Sequence, residues 1–450
     1  MRPTFYLLLL LAAMFTIAAC EPVGPRVAGE SEPRSSKIVG ESEPRSLNTA
    51  GESEPRWTST TEGTEPHSAE IGVGTAPRSR GAIEGTGLRW ASDLTRTELR
   101  GRFLVPDRVE NKPAMVVYLV NLAIPRVGRE PNETILADLR RDGCMVLVLD
   151  YAKQPSASSP AINCDILKLR EDLAGKNRKL LADVEFDRDR IFVLPEGFRL
   201  RRDIAFARDG ERVLAMDLMY PSEPAGTVPI VMEVSCDNAN RMGAGSLLFC
   251  RDTLLEGALF AGFAGAMVDH PVAAPYKGID DPMPVCLERM RSAVVVLREQ
   301  AKQLGLGGKV GAIGFSRGAT FAAMLSATRD VDAAVVHGNR FDYLDLLPDD
   351  PMLGRFEKAW GPVSENRERW AVHGAVHWLD AKRGAAPMFL NTSDAESAEY
   401  RDGLEKLRHR LEAIGAAHEY RLDRDGRGHR VTTDPRTLRR MYEFLREHLE

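Results

Sequence analysis

The chain of 450 residues is poor in cysteine, with six in all. It has no Cys-X-X-Cys pair, so a zinc ribbon and a dithiol redox motif are both excluded. No Gly-X-X-X-X-Gly-Lys run is present to cradle a phosphate, and Gly305 to Gly308 lacks the length and spacing of a dinucleotide fingerprint. Nothing in the sequence calls for an organic cofactor. An excess of one charge sign is missing too: 60 basic against 65 acidic residues leave a net charge of −5. That balance gives no electrostatic case for a nucleic-acid partner.

The N-terminus carries an address. Arg2 precedes an apolar stretch, Phe5 to Ala19, too short for a comfortable membrane span and about right for a signal-peptide core. It ends in Ile17-Ala18-Ala19-Cys20, which resembles a bacterial lipobox. The resemblance implies a lipoprotein signal over residues 1–20, cut so that Cys20 becomes the first mature residue and is lipidated, placing an exported protein on a membrane of the bacterial cell envelope. Gly29-Glu30-Ser31-Glu32-Pro33-Arg34 then recurs at Gly40 to Arg45 and at Gly51 to Arg56, a period of 11. A proline in each copy excludes a helical supercoil. So few large apolar residues cannot offset the entropy of ordering, and residues 21–86 are expected to be a disordered tether.

Residues 87–195 contain two apolar strand-like runs, Met115 to Leu122 and Met145 to Tyr151, with a helical stretch, Glu133 to Arg141, between them. Asp165 to Leu181 has helical spacing and many charges. The segment reads either as a small accessory α/β domain or as an extension of the sheet that follows. Five cysteines remain after Cys20, namely Cys144, Cys164, Cys236, Cys250 and Cys286. An odd number leaves at least one free thiol in an oxidising compartment; Cys236 and Cys250 are a plausible pair that spacing cannot establish.

From residue 196 onward strand and helix patterns alternate. Arg202 to Arg208 and Val213 to Tyr220, separated by Asp209-Gly210, predict an antiparallel hairpin. Val228 to Val234, Phe263 to Val268 and Asp332 to His337 are near-continuous apolar runs, as expected of strands covered on both faces of a mostly parallel sheet. Pro284 to Leu304 has helical spacing, and Asp434-Pro435 opens a last amphipathic helix. Residues 196–450 therefore predict one α/β domain with a mostly parallel central sheet flanked by helices.

The most informative run is Gly314-Phe315-Ser316-Arg317-Gly318. An apolar strand, Val310 to Ile313, leads into it and an alanine-rich helical stretch, Ala319 to Ala327, leaves it. The glycines allow a sharp strand-to-helix turn that leaves the serine hydroxyl standing at the carboxyl edge of the sheet. Asp394 follows a short buried strand, Ala386 to Asn391, and His429 follows Glu419 to Leu422 and a Gly-rich loop. In this order, Ser316, Asp394, His429, the chain resembles the α/β-hydrolase fold over roughly its last 250 residues. Its compact domain and elbow are most similar to the dienelactone hydrolase and acetyl-esterase side of that family.

The resemblance implies a serine hydrolase acting on a carboxylic ester of a small molecule or carbohydrate, with a small acyl group, through an acyl-enzyme on Ser316. His429 is the implied base, with His270 and His337 next in line, and Asp394 the implied acid. The implied oxyanion donors are the backbone N–H of Arg317 and one at Ser235 or Cys236; this chain has no His-Gly-Gly run there. A serine peptidase of the oligopeptidase kind shares the arrangement, and a surface binding protein could keep the fold without catalysis. The insertion Gly338 to Ala385 is the usual place of a cap and holds Trp360, Trp370 and Trp378. Those aromatics form either a small core of the insertion or part of an acyl or sugar pocket. His373 and His377 are four apart, but without the glutamate of a zinc-protease motif they are read as packing or surface groups, and no metal is expected.

Overall fold

The N-terminal part forms the strands Trp57–Thr60 (β1), Gly87–Ala91 (β2), Glu98–Leu104 (β3), Ala114–Val120 (β4), Met145–Asp150 (β5) and Asp187–Pro195 (β6), of which β4 and β5 are the apolar runs expected from the sequence. They form one sheet in the order β1-β2-β3-β5-β4-β6. β5 and β6 run parallel to β4 on either side, whereas β1, β2, β3 and β5 pair antiparallel in turn. Helix α1, Glu133–Arg141, makes the crossover from β4 to β5. The Asn132 side chain caps it by accepting from the Thr134 and Ile135 N–H groups at 3.1 and 3.2 Å, and it buries Ile135, Leu136 and Leu139.

These coordinates come from a computed structural model. It describes residues 57–60, 87–91, 98–107, 112–122, 128–151, 169, 170, 173, 186–224, 226–234, 254–271 and 283–450. The signal segment and Cys20, the Glu-Ser-Glu-Pro-Arg repeat, Cys164, Ser235, Cys236 and Cys250 all lie outside the described residues. So does nearly all of the helix expected over 165–181. The tether expected over 21–86 contains a strand, β1, because Trp57-Thr58-Ser59-Thr60 has strand-forming side chains and pairs with β2. The described strands of residues 87–195 join β1 in a sheet separate from the next one, the first of the two readings given for that segment.

The second sheet begins with the expected hairpin, Phe198–Asp209 (β7) and Arg212–Pro221 (β8), turned at Gly210 with φ 59°. Then follow Ile230–Val234 (β9), helix α2 at Leu255–Ala261, Ala264–Val268 (β10), helix α3 at Met283–Leu304, Val310–Phe315 (β11) and helix α4 at Arg317–Ala327. After Ala333–His337 (β12) come α5 at Leu353–Trp360, α6 at Arg367–Ala371 and a 3-10 turn at Ala375–Trp378. Met388–Ser393 (β13), α7 at Ala398–Ala413, His418–Asp423 (β14) and α8 at Pro435–Leu449 complete the chain. The order is β14-β13-β12-β11-β9-β10-β8-β7, parallel except for β8. Eight strands in that order, with the third and fourth exchanged in space, are the α/β-hydrolase fold.

Alternation along β11 explains why both faces are covered. Ile313 and Phe315 point into a core shared with α2 and α8, while Val310 and Ala312 point into one shared with α3, α4 and α7. The first core does not stop at the sheet: it runs on through Phe198 and Leu254 into Phe103, Tyr118 and Phe192 of the six-stranded sheet. Arg199 pairs with Asp138 at 2.7 Å, and Arg202 donates to the Asp142 carbonyl at 2.9 Å, so polar contacts follow the same seam. In the insertion, Phe356, Trp360 and Trp370 make a separate aromatic cluster with Tyr343, the first of the two readings above, but Trp378 and Phe341 belong to the main core.

Candidate active site

β11 delivers Ser316 to the carboxyl edge of the sheet, and α4 starts at the next residue. The backbone of Ser316 has φ 52° and ψ −124°, a combination that L-residues adopt only at a cost of about 1–3 kcal/mol. Gly314 makes the turn possible. A Cβ there would lie 2.4 Å from the Gly318 carbonyl oxygen and 2.6 Å from the Ala319 Cα, because strand and helix pass in backbone contact. The Ser316 N–H donates to the His337 carbonyl at 3.2 Å, and the Asn339 amide donates to the Ser316 carbonyl at 2.8 Å and to Thr320 Oγ1 at 2.7 Å. The strained residue is thus held from both sides.

His429 Nε2 lies 3.0 Å from Ser316 Oγ, and its Nδ1 lies 2.8 Å from Glu396 Oε2. With the proton on Nδ1, the ring donates to the carboxylate and accepts from the serine hydroxyl. Two aromatic rings pack against it, Phe315, stacked at 4.7 Å between centroids, and Tyr400, tilted at 4.4 Å. Tertiary contact brings together residues 113 apart in the chain.

The carboxylate on His429 is Glu396, and Asp394 is a correction to the sequence reading. β13 continues to Ser393, which turns Asp394 outward, exposed, with its Oδ1 accepting from the Gly426 N–H at 3.0 Å. The Glu396 N–H donates back to the Ser393 carbonyl at 3.1 Å, and this tight turn folds the longer side chain inward under the imidazole. The Glu396 side chain is 0% exposed. Burial alone pushes its carboxyl up. The hydrogen bond and attraction from His429, together with the Ser397 N–H at 2.9 Å, outweigh burial and hold it below the ordinary carboxylate value. Gly338 leaves the room: a Cβ on it would stand 2.7 Å from Glu396 Oε2, and its φ of 29° is one that side chains disfavour. The available signal was a second carboxylate two residues past Asp394 on the same loop.

Asp394 instead braces the loop that carries His429. Besides the Gly426 contact, its N–H donates to the Asp423 carbonyl at 2.8 Å, and the neighbouring Ser393 hydroxyl donates to Asp425 at 2.8 Å. The other two histidines are engaged elsewhere. His337 is buried, its Nδ1–H donating to Asn391 Oδ1 at 2.6 Å; burial pushes its pKa below the ordinary value despite that bond. His270 is buried edge-on against Phe321 at 5.2 Å. His373 stacks on Trp360 at 3.9 Å and donates to the Arg369 carbonyl, whereas His377 sits 2.8 Å from Asp342.

Of the expected oxyanion donors, the Arg317 N–H lies at the first position of α4, where helix N–H groups have no intrahelical acceptor. Ser235 and Cys236 lie outside the described residues. β9 ends at Val234, which is paired with Gly314, so the strand that precedes them ends beside the elbow.

No family model matches this sequence, and no curated protein matches it. Among solved structures, a bifunctional GH43-CE protein of Bacteroides eggerthii aligns at 18% identity and a TM-score of 0.47, over 56% of this chain and 35% of that one. The Pyrococcus horikoshii acylaminoacyl peptidase aligns at 15% identity and a TM-score of 0.46, over 56% of this chain and 42% of its own. A thermostable esterase from Pseudomonas putida ECU1011 aligns at 15% identity and 0.43, over 64% and 90%. This chain therefore spans well under half the length of the first two. The fold assignment stands on the strand order itself.

Proposed function

We propose that the protein is a serine hydrolase that cleaves carboxylic esters through an acyl-enzyme on Ser316, with His429 as base and Glu396 as its acid partner. The observation that carries this is the relay from Ser316 Oγ to His429 Nε2 at 3.0 Å and from His429 Nδ1 to Glu396 at 2.8 Å, set on a strained elbow.

A serine hydroxyl is a weak nucleophile until a base takes its proton. In the proposed reaction Ser316 Oγ attacks the ester carbonyl carbon as its proton passes to His429 Nε2. Glu396 stabilises the imidazolium that forms and holds the ring in the productive tautomer. The tetrahedral oxyanion takes the Arg317 N–H. Collapse of the intermediate expels the alcohol, protonated by His429, and leaves the acyl group on Ser316. Water, deprotonated by His429, then releases the carboxylic acid and restores the serine.

The acyl group is proposed to be small, of the acetyl class, carried by a sugar or a simple alcohol. Export and attachment through Cys20 are proposed on the strength of the apolar run and the Ile17-Ala18-Ala19-Cys20 sequence. The first test is labelling of the whole protein with a fluorophosphonate, followed by peptide mapping and by turnover of acetyl, butyryl and octanoyl p-nitrophenyl esters. Adduct on Ser316 with fastest turnover of acetate is expected. No adduct on folded protein would reject the hydrolase reading, and adduct with peptide but not ester turnover would make it a peptidase.

A further inference from the structure

His429 is not held only by its hydrogen bonds. Its ring also packs against Phe315, on the strand that carries the nucleophile, and against Tyr400, in the first turn of α7 and tilted by 36° to it. On Tyr400 in turn lies the Arg340 guanidinium, 4.8 Å from the ring centroid. Arg340 is buried, at 5% exposure, and belongs to the insertion between β12 and β13. Asp350 of the same insertion grips it with both oxygens, at 2.6 and 2.8 Å, and Glu399 stands 3.6 Å away. Asp350 Oδ1 also accepts from the Met352 N–H at 2.8 Å, one residue before α5. A continuous column therefore runs from the nucleophile strand through the base and Tyr400 into the insertion.

We propose that Tyr400 is a positioning residue for His429, and that through Arg340 the insertion acts as a buttress fixing the ring plane of the base. The proposal deepens the hydrolase reading above and rests on it for its kinetic consequence. Bonds at Nδ1 and Nε2 hold those atoms only within the tolerance of a hydrogen bond in distance and angle, and side chains of this type have broad preferences at the second torsion, so the ring can still rock about Cβ–Cγ. Aromatic rings packed against the imidazole restrict that rocking, and they also favour the imidazolium that forms during the reaction. Asp350 grips the edge of the Arg340 guanidinium through Nε and Nη2, which leaves its planar face to Tyr400. Because Arg340 and Asp350 are both of the insertion, repacking there reaches the base through one ring.

The test compares the whole protein with Tyr400→Leu and Tyr400→Phe, reading p-nitrophenyl acetate kinetics alongside the NMR signals of the His429 ring. Phenylalanine keeps the face and loses only the hydroxyl. Leucine keeps apolar volume and loses the face. Tyr400 is half-buried, so both variants are expected to fold, with the thermal transition as control. A roughly tenfold loss of kcat in Tyr400→Leu, with KM within about twofold, and recovery to within about twofold in Tyr400→Phe are expected, since small misplacements of a catalytic group cost this much or more. In parallel, one sharp set of His429 signals in the wild type and Tyr400→Phe should broaden or split in Tyr400→Leu. Wild-type kcat and unchanged ring signals in Tyr400→Leu would overturn the proposal, as would equal impairment of both variants or a change confined to KM. If the wild type neither turns over esters nor takes the fluorophosphonate, the hydrolase reading fails, and the ring signals alone still decide whether Tyr400 orders His429.

Discussion

β4 and β11 are both buried parallel strands, one in each sheet, and both run into a non-glycine residue of positive φ: Asn121 at 59° and Ser316 at 52°. At the end of β4 the unusual backbone is satisfied nearby. Asn121 donates its side-chain amide to Asp150 at 2.7 Å and its N–H to the Gly128 carbonyl at 3.0 Å, and asparagine tolerates positive φ better than most residues. At the end of β11 the side chain has gone to a distant partner, His429, and the turn rests on Gly314 and Asn339. The lesson is that a strained strand end becomes a candidate site only where other loops converge on it. Here β12, β13 and β14 each send one: Gly338 clears space, Glu396 supplies the carboxylate, and His429 supplies the base.

Removing the converging groups breaks the contrast most severely. His429→Ala should lower turnover by about four orders of magnitude or more while leaving the far-ultraviolet circular dichroism unchanged. A near-wild-type rate would mean the β11 end works without its loops. Glu396→Gln should follow, at about three to four orders of magnitude in kcat. Asp394→Asn, which can still accept from Gly426, should stay within about threefold, since it perturbs only a surface hydrogen bond. A reversal of those two effects would return the acid to Asp394.

Stability sharpens the same comparison. Ser316→Gly should abolish activity yet stabilise the fold against urea by about 1 to 2 kcal/mol, because glycine adopts that backbone freely. Asn121→Gly should change stability by only a few tenths of a kcal/mol, the eased backbone being offset by the lost bond to Asp150. Equal gains at both positions would show that the two ends store strain alike.

The smallest effect expected is in the pH dependence of unfolding. The folded pKa of His337 lies below its unfolded value, so folding disfavours the protonated ring. That contribution is complete above an unfolded pKa of about 6.5 and is lost as pH falls from there through the folded value. Glu396 has the same sign on the carboxylate scale: its contribution is present above an unfolded pKa of about 4.3 and is lost as pH falls through its depressed folded value. Urea midpoints between pH 8 and pH 5 should fall in the wild type and flatten in His337→Asn. An identical slope in both would remove His337 from the account.

Much of the second sheet was legible in the sequence because its signals are local. β9 to β12 are apolar runs of strand length, and Asp434-Pro435 starts α8 as expected, Asp434 accepting from the Arg436 N–H at 2.9 Å. The six-stranded sheet was less legible for the opposite reason. β6 opens on Asp187-Arg188-Asp189-Arg190 and β3 alternates charged and apolar residues, so their strand character comes from pairing with β4 and β5. The shared core joining the two sheets has no local signal at all. It arises because Phe198 and Leu254 present apolar surface on the side where the first sheet packs.

The sequence by itself determined the elbow and the succession of strands and helices along the chain around it, since a strand, a glycine turn and an alanine-rich helix are specified by residues within a few positions of each other. It also placed one histidine on the last Gly-rich loop. What only the tertiary structure decided was which carboxylate meets that histidine. Asp394 and Glu396 share one loop and one charge, and no local preference separates them. The choice falls to a turn that points one side chain at solvent and the other inward, and to a glycine just past a different strand that leaves a buried carboxylate its space.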